Sequence, residues 1–110
     1  MIVTGGENVF AAEIETVLKK SKKVVDAVVV GLPDKEWGHR IHAFIEANEP
    51  ISEKSLIKLA LNYLPPYKIP KSFEFVDRIP QSNNGKIVRS KLVEQYLTNS
   101  SYLKGEKNGE

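Results

Sequence analysis

The stretch IHAFIEA, residues Ile41–Ala47, decides the fold of this chain because its side chains alternate with a period of two. Apolar residues at its odd positions alternate with a second set that includes His42 and Phe44, which predicts a half-buried β-strand. A helix that Ser52 can cap follows, and then a strand that begins at Ser72. Two strands joined by a helix are parallel and have a right-handed crossover, so the stretch opens a βαβ unit.

The segment before this unit contains a helix and a strand. The β-branched run Val24–Gly31 predicts a buried strand. From Ala11, apolar residues recur at helical spacing, which predicts an amphipathic helix. We interpret Glu13 and Glu15 as its solvated acidic start, and the run Lys19–Lys23 as cations that complement its C-terminal end.

The two ends of the chain complete the predicted domain. Met1–Val3 resembles the tail of a strand whose partner is missing, whereas Ile87–Leu97 predicts a third helix. Residues 99–110 form a polar tail that we expect to be disordered. We therefore predict an α+β domain at residues 1–98, with a small mixed three-stranded sheet whose βαβ unit is flanked by helices.

Composition limits the class of protein. A chain of 110 residues with a net charge of +2 and no long Lys/Arg block fits one small domain and does not demand nucleic-acid binding. The absence of cysteine excludes disulfides and thiolate metal sites, which agrees with a cytoplasmic protein. No apolar run approaches the roughly 20 residues of a membrane span. His39 and His42 lack metal-ligand spacing, so we predict no metal site.

A short polar loop, PQSNNGKI at Pro80–Ile87, presents a lone lysine, Lys86, behind Gly85. Glycine permits positive φ, and the Ser and Asn side chains can bond the local backbone, so the loop holds Lys86 outward. A mobile cation at a loop tip suits a developing phosphate charge. A P-loop would need glycine in place of Pro80 and Ser or Thr in place of Ile87, which excludes that motif. The alternative is an ordinary solvated turn in which Lys86 has no chemical role.

Four patterns follow one another along the chain: GGENVF with EIE in the first helix, VVVGLPD with Trp37-Gly38, YKIPK at Tyr67–Lys71, and the segment from Ile79-Pro80 to Gly85-Lys86-Ile87. Together they cover nearly everything from Met1 to Leu97. In this order they closely resemble the C-terminal domain of adenylate-forming (AMP-binding) acyl-CoA synthetases.

The resemblance implies a two-step ligase of fatty or other carboxylic acids. A carboxylate attacks the α-phosphate of Mg-ATP to give acyl-adenylate and pyrophosphate, and the thiol of coenzyme A then displaces AMP. In such enzymes an N-terminal adenylation domain holds ATP and the acyl pocket, and the C-terminal domain is a lid that rotates between the steps. Lys86 matches the adenylation lysine, whose ammonium can bridge the carboxylate and the α-phosphoryl oxygens. Gly5 and Gly6 match the turn that lets the pantetheine arm approach the backbone.

Three further residues are candidates for the nucleotide end of coenzyme A. Trp37 resembles a position from which an aromatic ring stacks on the adenine in some CoA ligases. With Tyr67 and Lys71 it would form an aromatic and basic patch for the 3′-phospho-ADP group. Each of the three alone also fits a simpler role in packing or solvating a loop.

The resemblance also has gaps. The family's phosphate loop belongs to the N-terminal domain, and its hinge residue would lie just before Met1. We therefore expect an excised domain, a truncated reading frame or a stand-alone remnant that does not catalyse the full reaction alone. The segment before Lys86 also resembles the site at which these enzymes are acylated, so a lysine acetyltransferase is an expected partner.

Two alternatives stay open. One is the lid of a peptide-synthetase adenylation domain, which loads a carrier protein; the GGENV turn favours the CoA ligases. The other is a non-catalytic module that uses Lys19–Lys23 with Trp37 and Tyr67 to bind RNA or a partner protein.

Overall fold

The computed structural model of the chain describes residues 2–4, 6–36, 38–79 and 89–96, and of Glu7 the backbone alone. The chain divides into two compact units, Met1–Ile79 and Pro80–Glu110, and each is described by itself. In the second unit, residues 89–96 form a helix, α3, which lies within the predicted helix Ile87–Leu97. The predicted disordered tail at 99–110 lies outside the described residues.

A mixed three-stranded sheet forms the centre of the first unit. Its strands are β3 (Val24–Asp34), β4 (Gly38–Ala47) and β5 (Ser72–Val76), in the order β3-β4-β5. The β3 and β4 strands are antiparallel, whereas β4 and β5 are parallel. The predicted mixed sheet and its βαβ unit are therefore confirmed.

The crossover between the two parallel strands contains helix α2 (Glu53–Leu61) and a short 3-10 helix at Pro66–Lys68. Ser52 caps α2 as predicted, because its hydroxyl oxygen accepts a hydrogen bond from the backbone N–H of Ser55 at 3.2 Å. The helix ends before Tyr63, which is 56% exposed and lies beneath the Lys20 ammonium.

Helix α1 (Ala11–Leu18) and α2 cover one face of the sheet. Residues paired across strands share a face, so this face carries alternate residues of β3 and β4. Its apolar side chains form the hydrophobic core with those of the two helices: Ala27, Val29, Ile41, Ala43, Ile45, Ile14, Val17, Leu18, Leu56 and Ala60. Burying this apolar area is the main stabilising contribution to the unit.

The opposite face of β4 is buried as well, so the half-buried prediction was wrong for residues 41–45. His42 and Phe44 are only 2% and 1% exposed. Their neighbours across the strand pair are Val30 and Val28, which are also buried, and the two rings meet edge to face at 4.7 Å. The alternation along β4 therefore separates two buried faces rather than an exposed and a buried one.

The N-terminal segment forms a hairpin of β1 (Ile2–Thr4) and β2 (Glu7–Val9). Thr4 pairs with Glu7 across a two-residue turn in which Gly6 has φ +84°. The expectation of a strand without a partner was therefore wrong, because the partner is three residues further along the chain. Ile2 packs so closely on Gly31 of β3 that a Cβ there would lie 2.9 Å from its Cγ2 atom.

A buried carboxylate joins α1 to the outer edge of β3. Glu15 is 9% exposed, and its Oε2 atom accepts a hydrogen bond from the backbone N–H of Val29 at 2.8 Å. The interpretation of Glu15 as part of a solvated helix start was wrong, because the side chain faces the sheet. Among the described residues, no helix is long and apolar enough to cross a membrane.

We expect Glu15→Ala to lower the free energy of unfolding of this chain by about 1–3 kcal/mol, because it leaves the buried N–H of Val29 without this acceptor. Urea denaturation of the wild type and the variant measures the change. Glu15→Gln is the matched control, since its amide oxygen can accept the same bond and should retain most of the stability. Equal losses in both variants would contradict a role for the hydrogen bond.

Candidate functional site

The predicted site residues differ in what the structure describes. Lys86, Gly5 and Trp37 lie outside the described residues. Gly6 lies in the turn of the β1-β2 hairpin, where its positive φ explains the choice of glycine. Tyr67 and Lys71 both lie in the connection that leads from α2 into β5.

This connection is held against the first part of β4. The backbone N–H of Lys71 donates a hydrogen bond to the carbonyl oxygen of Ile41 at 2.9 Å. Tyr67 is 47% exposed, and the Lys68 ammonium lies 5.9 Å from the centre of its ring. An aromatic ring and the backbone of a lysine are thus presented at the edge of the sheet where β4 and β5 begin.

An ion pair fixes the other side of the connection. The Lys68 ammonium donates to Glu13 Oε1 of α1 at 2.8 Å. This hydrogen bond is the main reason why the pKa of Lys68 is raised above its usual value. The ion pair joins the 3-10 helix, which contains Tyr67, to α1.

The turn between β3 and β4 lies at the same edge of the sheet. Asp34 pairs with Gly38 across three loop residues, and Gly38 has φ +81°. Asp34 Oδ1 accepts a hydrogen bond from the N–H of Glu36 at 2.9 Å, which fixes the residue before Trp37. Gly38 begins β4 and is three residues, about 10 Å, from Ile41. The residues that flank Trp37 are therefore close enough to the connection for one small molecule to contact both.

A polar network that the sequence did not predict lies beside this edge. Ser72 Oγ is 2.6 Å from His42 Nδ1 and accepts a weaker hydrogen bond from Arg40 Nε at 3.3 Å. Arg40 Nη1 also donates to the carbonyl oxygen of Pro33 at 3.2 Å. The network follows from the parallel register, which pairs His42 with Ser72 and could not be read from the sequence. The network holds the Arg40 guanidinium at a shallow depression next to the β3-β4 turn. Asp34 and Lys35 also line this depression.

The electrostatics of this network argue against nucleophilic catalysis by Ser72. Burial, and secondarily the Arg40 charge, lower the pKa of His42 from 6.5 to about 4. The imidazole is therefore neutral at physiological pH and a weak base, while Arg40 also bonds the hydroxyl oxygen. We conclude that the network positions Arg40 and joins β4 to β5.

The described residues contain no group of three or more His, Asp or Glu side chains that could hold a metal ion. The part of the chain that the structure describes therefore provides no metal-binding cluster of its own.

Comparison with protein families matches residues 13–86 to the AMP-binding enzyme C-terminal domain. A 2-succinylbenzoate–CoA ligase of Bacillus licheniformis is 42% identical over 92 residues, which cover 84% of this chain and 19% of that protein. A fatty acid–[acyl-carrier-protein] ligase of Streptomyces coeruleorubidus is 39% identical over 102 residues, 91% of this chain and 20% of that protein. The chain thus spans about a fifth of the length of these relatives.

Solved structures with the same fold include a fatty acyl CoA synthetase of Mycobacterium tuberculosis, with a TM-score of 0.82 and 39% identity over 90% of this chain and 20% of that one. The o-succinylbenzoate CoA synthetase of Bacillus subtilis, in complex with its acyl-adenylate intermediate, has a TM-score of 0.76 and 38% identity over 83% of this chain and 19% of that one.

We expect His42 to titrate at about pH 4, which NMR of its ring protons measures directly. Because its pKa is 6.5 when unfolded, the unfolded chain takes up the proton first as the pH falls. The stability that depends on neutral His42 is complete above about pH 6.5 and is lost as the pH falls toward 4. His42→Asn should therefore have a flatter stability profile between these two values. A ring midpoint near 6.5 in the folded chain would contradict this.

Proposed function

Because the chain belongs to the family of AMP-binding enzyme C-terminal domains, we propose that it is the lid domain of an acyl-CoA ligase. The observation that carries the proposal is that the family match continues through Lys86, the residue on which the chemistry would depend. The relatives named CoA ligases also match over most of the chain. We assign the lid to residues 1–98 and treat residues 99–110 as a tail outside the domain.

The proposed reaction joins a carboxylic acid to coenzyme A at the expense of ATP. ATP with Mg and the acid would bind on an N-terminal adenylation domain, and acyl-adenylate would form there before the thiol displaces AMP. The lid alone would lack the ATP and acyl sites, so we propose that it is inactive without that partner. The substrates ATP and coenzyme A favour a cytoplasmic enzyme.

Lys86 would supply positive charge for the first step. An ammonium on a flexible four-carbon stem can reach both the attacking carboxylate and the α-phosphoryl oxygens. As the bond to phosphorus forms, negative charge grows on these oxygens, and a positioned cation stabilises it more than it stabilises the separated reactants. Lys86 therefore has the role of a catalytic residue in adenylation.

Coenzyme A would bind at the edge that carries Tyr67 and Lys71. The exposed Tyr67 ring and the hairpin that contains Trp37 could contact the adenine, and the Lys71 ammonium could pair with a phosphate. Gly5 and Gly6 would give the pantetheine arm access to the backbone. The hydrogen bond from Lys71 to Ile41 supports this assignment because it holds the connection beside the strand that begins after Trp37.

A carrier protein is the second candidate for the thiol that accepts the acyl group. The observation that favours it is the relative from Streptomyces coeruleorubidus, which is named a fatty acid–[acyl-carrier-protein] ligase and matches 91% of this chain. Comparing free coenzyme A with a phosphopantetheinylated carrier protein as the acceptor separates the two candidates. A non-catalytic binding module is less well supported, because Lys19 and Lys20 of its basic run interact with Asp26 and Tyr63.

We expect Lys86→Ala in the full-length ligase to slow acyl-adenylate formation by about 10²–10³. The reason is that the transition state loses the cation while substrate binding elsewhere is unchanged. Single-turnover release of pyrophosphate measures this step, and AMP release from pre-made acyl-adenylate and coenzyme A measures the second step, which should change much less.

Two controls accompany Lys86→Ala. Lys91→Ala removes a lysine of α3 and should leave both steps unchanged, whereas acetylation of Lys86 should mimic the alanine variant because it removes the charge. Equal losses in the two steps of Lys86→Ala would refute the role in adenylation.

We expect Lys71→Ala and Trp37→Ala to raise the KM for coenzyme A while acyl-adenylate formation stays nearly unchanged. For Trp37 the loss of stacking on a base is worth roughly 1–3 kcal/mol, which corresponds to about 5–150-fold. Steady-state kinetics with varied coenzyme A measures the effect, with Lys54→Ala on the exposed face of α2 as the control. An unaltered KM for coenzyme A in both variants would contradict a role in coenzyme A binding and leave these residues a role in loop packing.

A further inference from the structure

A carboxylate at the end of β4 binds the backbone just before the loop that carries Lys86. Glu46 Oε1 accepts a hydrogen bond from the N–H of Ile79 at 2.8 Å. Ile79 is 1% exposed, so its side chain is buried while its amide is held by Glu46. Both residues belong to the first unit of the chain.

The chain must turn to make this hydrogen bond. In the parallel ladder Glu46 is paired with Val76, the last residue of β5. A chain that stayed extended would carry residue 79 about 10 Å beyond Val76, which is farther than a glutamate side chain reaches. The peptide after β5 therefore folds back toward β4 before it reaches Pro80.

The position of the bond along the chain suggests its purpose. Proline has no N–H, so after the amide of Ile79 the next backbone donor along the chain is that of Gln81. An ionised carboxylate makes a stronger bond to such an N–H than a neutral acceptor does. The bond and the buried Ile79 side chain together hold the last residue before Pro80 beside the end of β4.

We propose that Glu46 is a positioning residue for adenylation, because it fixes the start of the segment that carries Lys86. The inference rests on the proposed role of Lys86. Seven residue steps lead from Ile79 to Lys86, which limits the reach of the lysine backbone to about 25 Å from this point.

The buried Ile79 side chain still anchors the chain when the bond is lost, so we expect an effect smaller than that of a full misplacement. A misplacement of about 1 Å at the reacting atoms can cost about 10²-fold. We therefore expect a loss of about tenfold in the step that uses Lys86.

The test uses the full-length ligase and measures both half-reactions in single turnovers. Glu46→Ala should slow acyl-adenylate formation about tenfold and change thioester formation from pre-made acyl-adenylate by less than about twofold. Glu46→Gln keeps an oxygen that can accept the bond and should recover most of the rate. Glu74→Ala is the matched control, because it removes a carboxylate from the same face of the neighbouring strand.

The outcomes distinguish the inference from the proposed function. An unchanged adenylation rate in Glu46→Ala, equal losses in both steps, or no rescue by Glu46→Gln would each overturn the inference. If Lys86→Ala slows adenylation but Glu46→Ala does not, only the inference fails. If Lys86→Ala has no effect, the proposed function itself fails. Because Glu46 would act through Lys86, the double variant should be no slower than Lys86→Ala alone.

Discussion

The central position of β4 is the constraint on which the rest of the structure depends. It is antiparallel to β3 on one side and parallel to β5 on the other, and residues 41–45 are buried on both faces. Such a strand can shift its register only by moving two buried faces at once, which is energetically costly. The register in turn determines which polar groups meet, including His42 with Ser72 and Lys71 with Ile41.

Two carboxylates complete the hydrogen bonding of backbone that the strands leave unpaired. Glu15 accepts from Val29 at the outer edge of β3, and Glu46 accepts from Ile79 beyond the end of β5. A buried N–H without an acceptor is costly, so each carboxylate stabilises a particular path of the chain. One of these bonds, at Ile79, lies just before the segment that would carry Lys86 in the proposed function.

The elements could be predicted from the sequence where local patterns and local sterics agree. The β-branched run of β3, the Ser52 cap and the βαβ order each depend on neighbours along the chain, and the structure confirms all three. The predictions that failed depended on tertiary contacts. A glutamate near a helix start is usually solvated, and only the packing of α1 on β3 shows that Glu15 is buried. Likewise, the alternation in β4 does not tell whether its second face is covered.

The candidate site was predictable only in part, for a related reason. Motifs identified Lys86, Trp37, Tyr67 and Lys71, and of these the structure brings Tyr67 and Lys71 to the edge beside the β3-β4 turn. Roles in binding or catalysis stay predictions for all four. No sequence motif identified Arg40. Its position depends on the parallel register and on a hydrogen bond to the carbonyl oxygen of Pro33, and neither can be read from a local pattern.

The low pKa of His42 has a consequence for the proton balance of this edge. Because the ring is neutral well above pH 4 and a guanidinium does not deprotonate in proteins, the network keeps one positive charge from weakly acidic to alkaline conditions. An anion that approaches Arg40 therefore meets the same charge from this network at pH 6 as at pH 8. Its arrival or departure requires no proton uptake by His42, so this network adds no heat of buffer ionisation to a binding event.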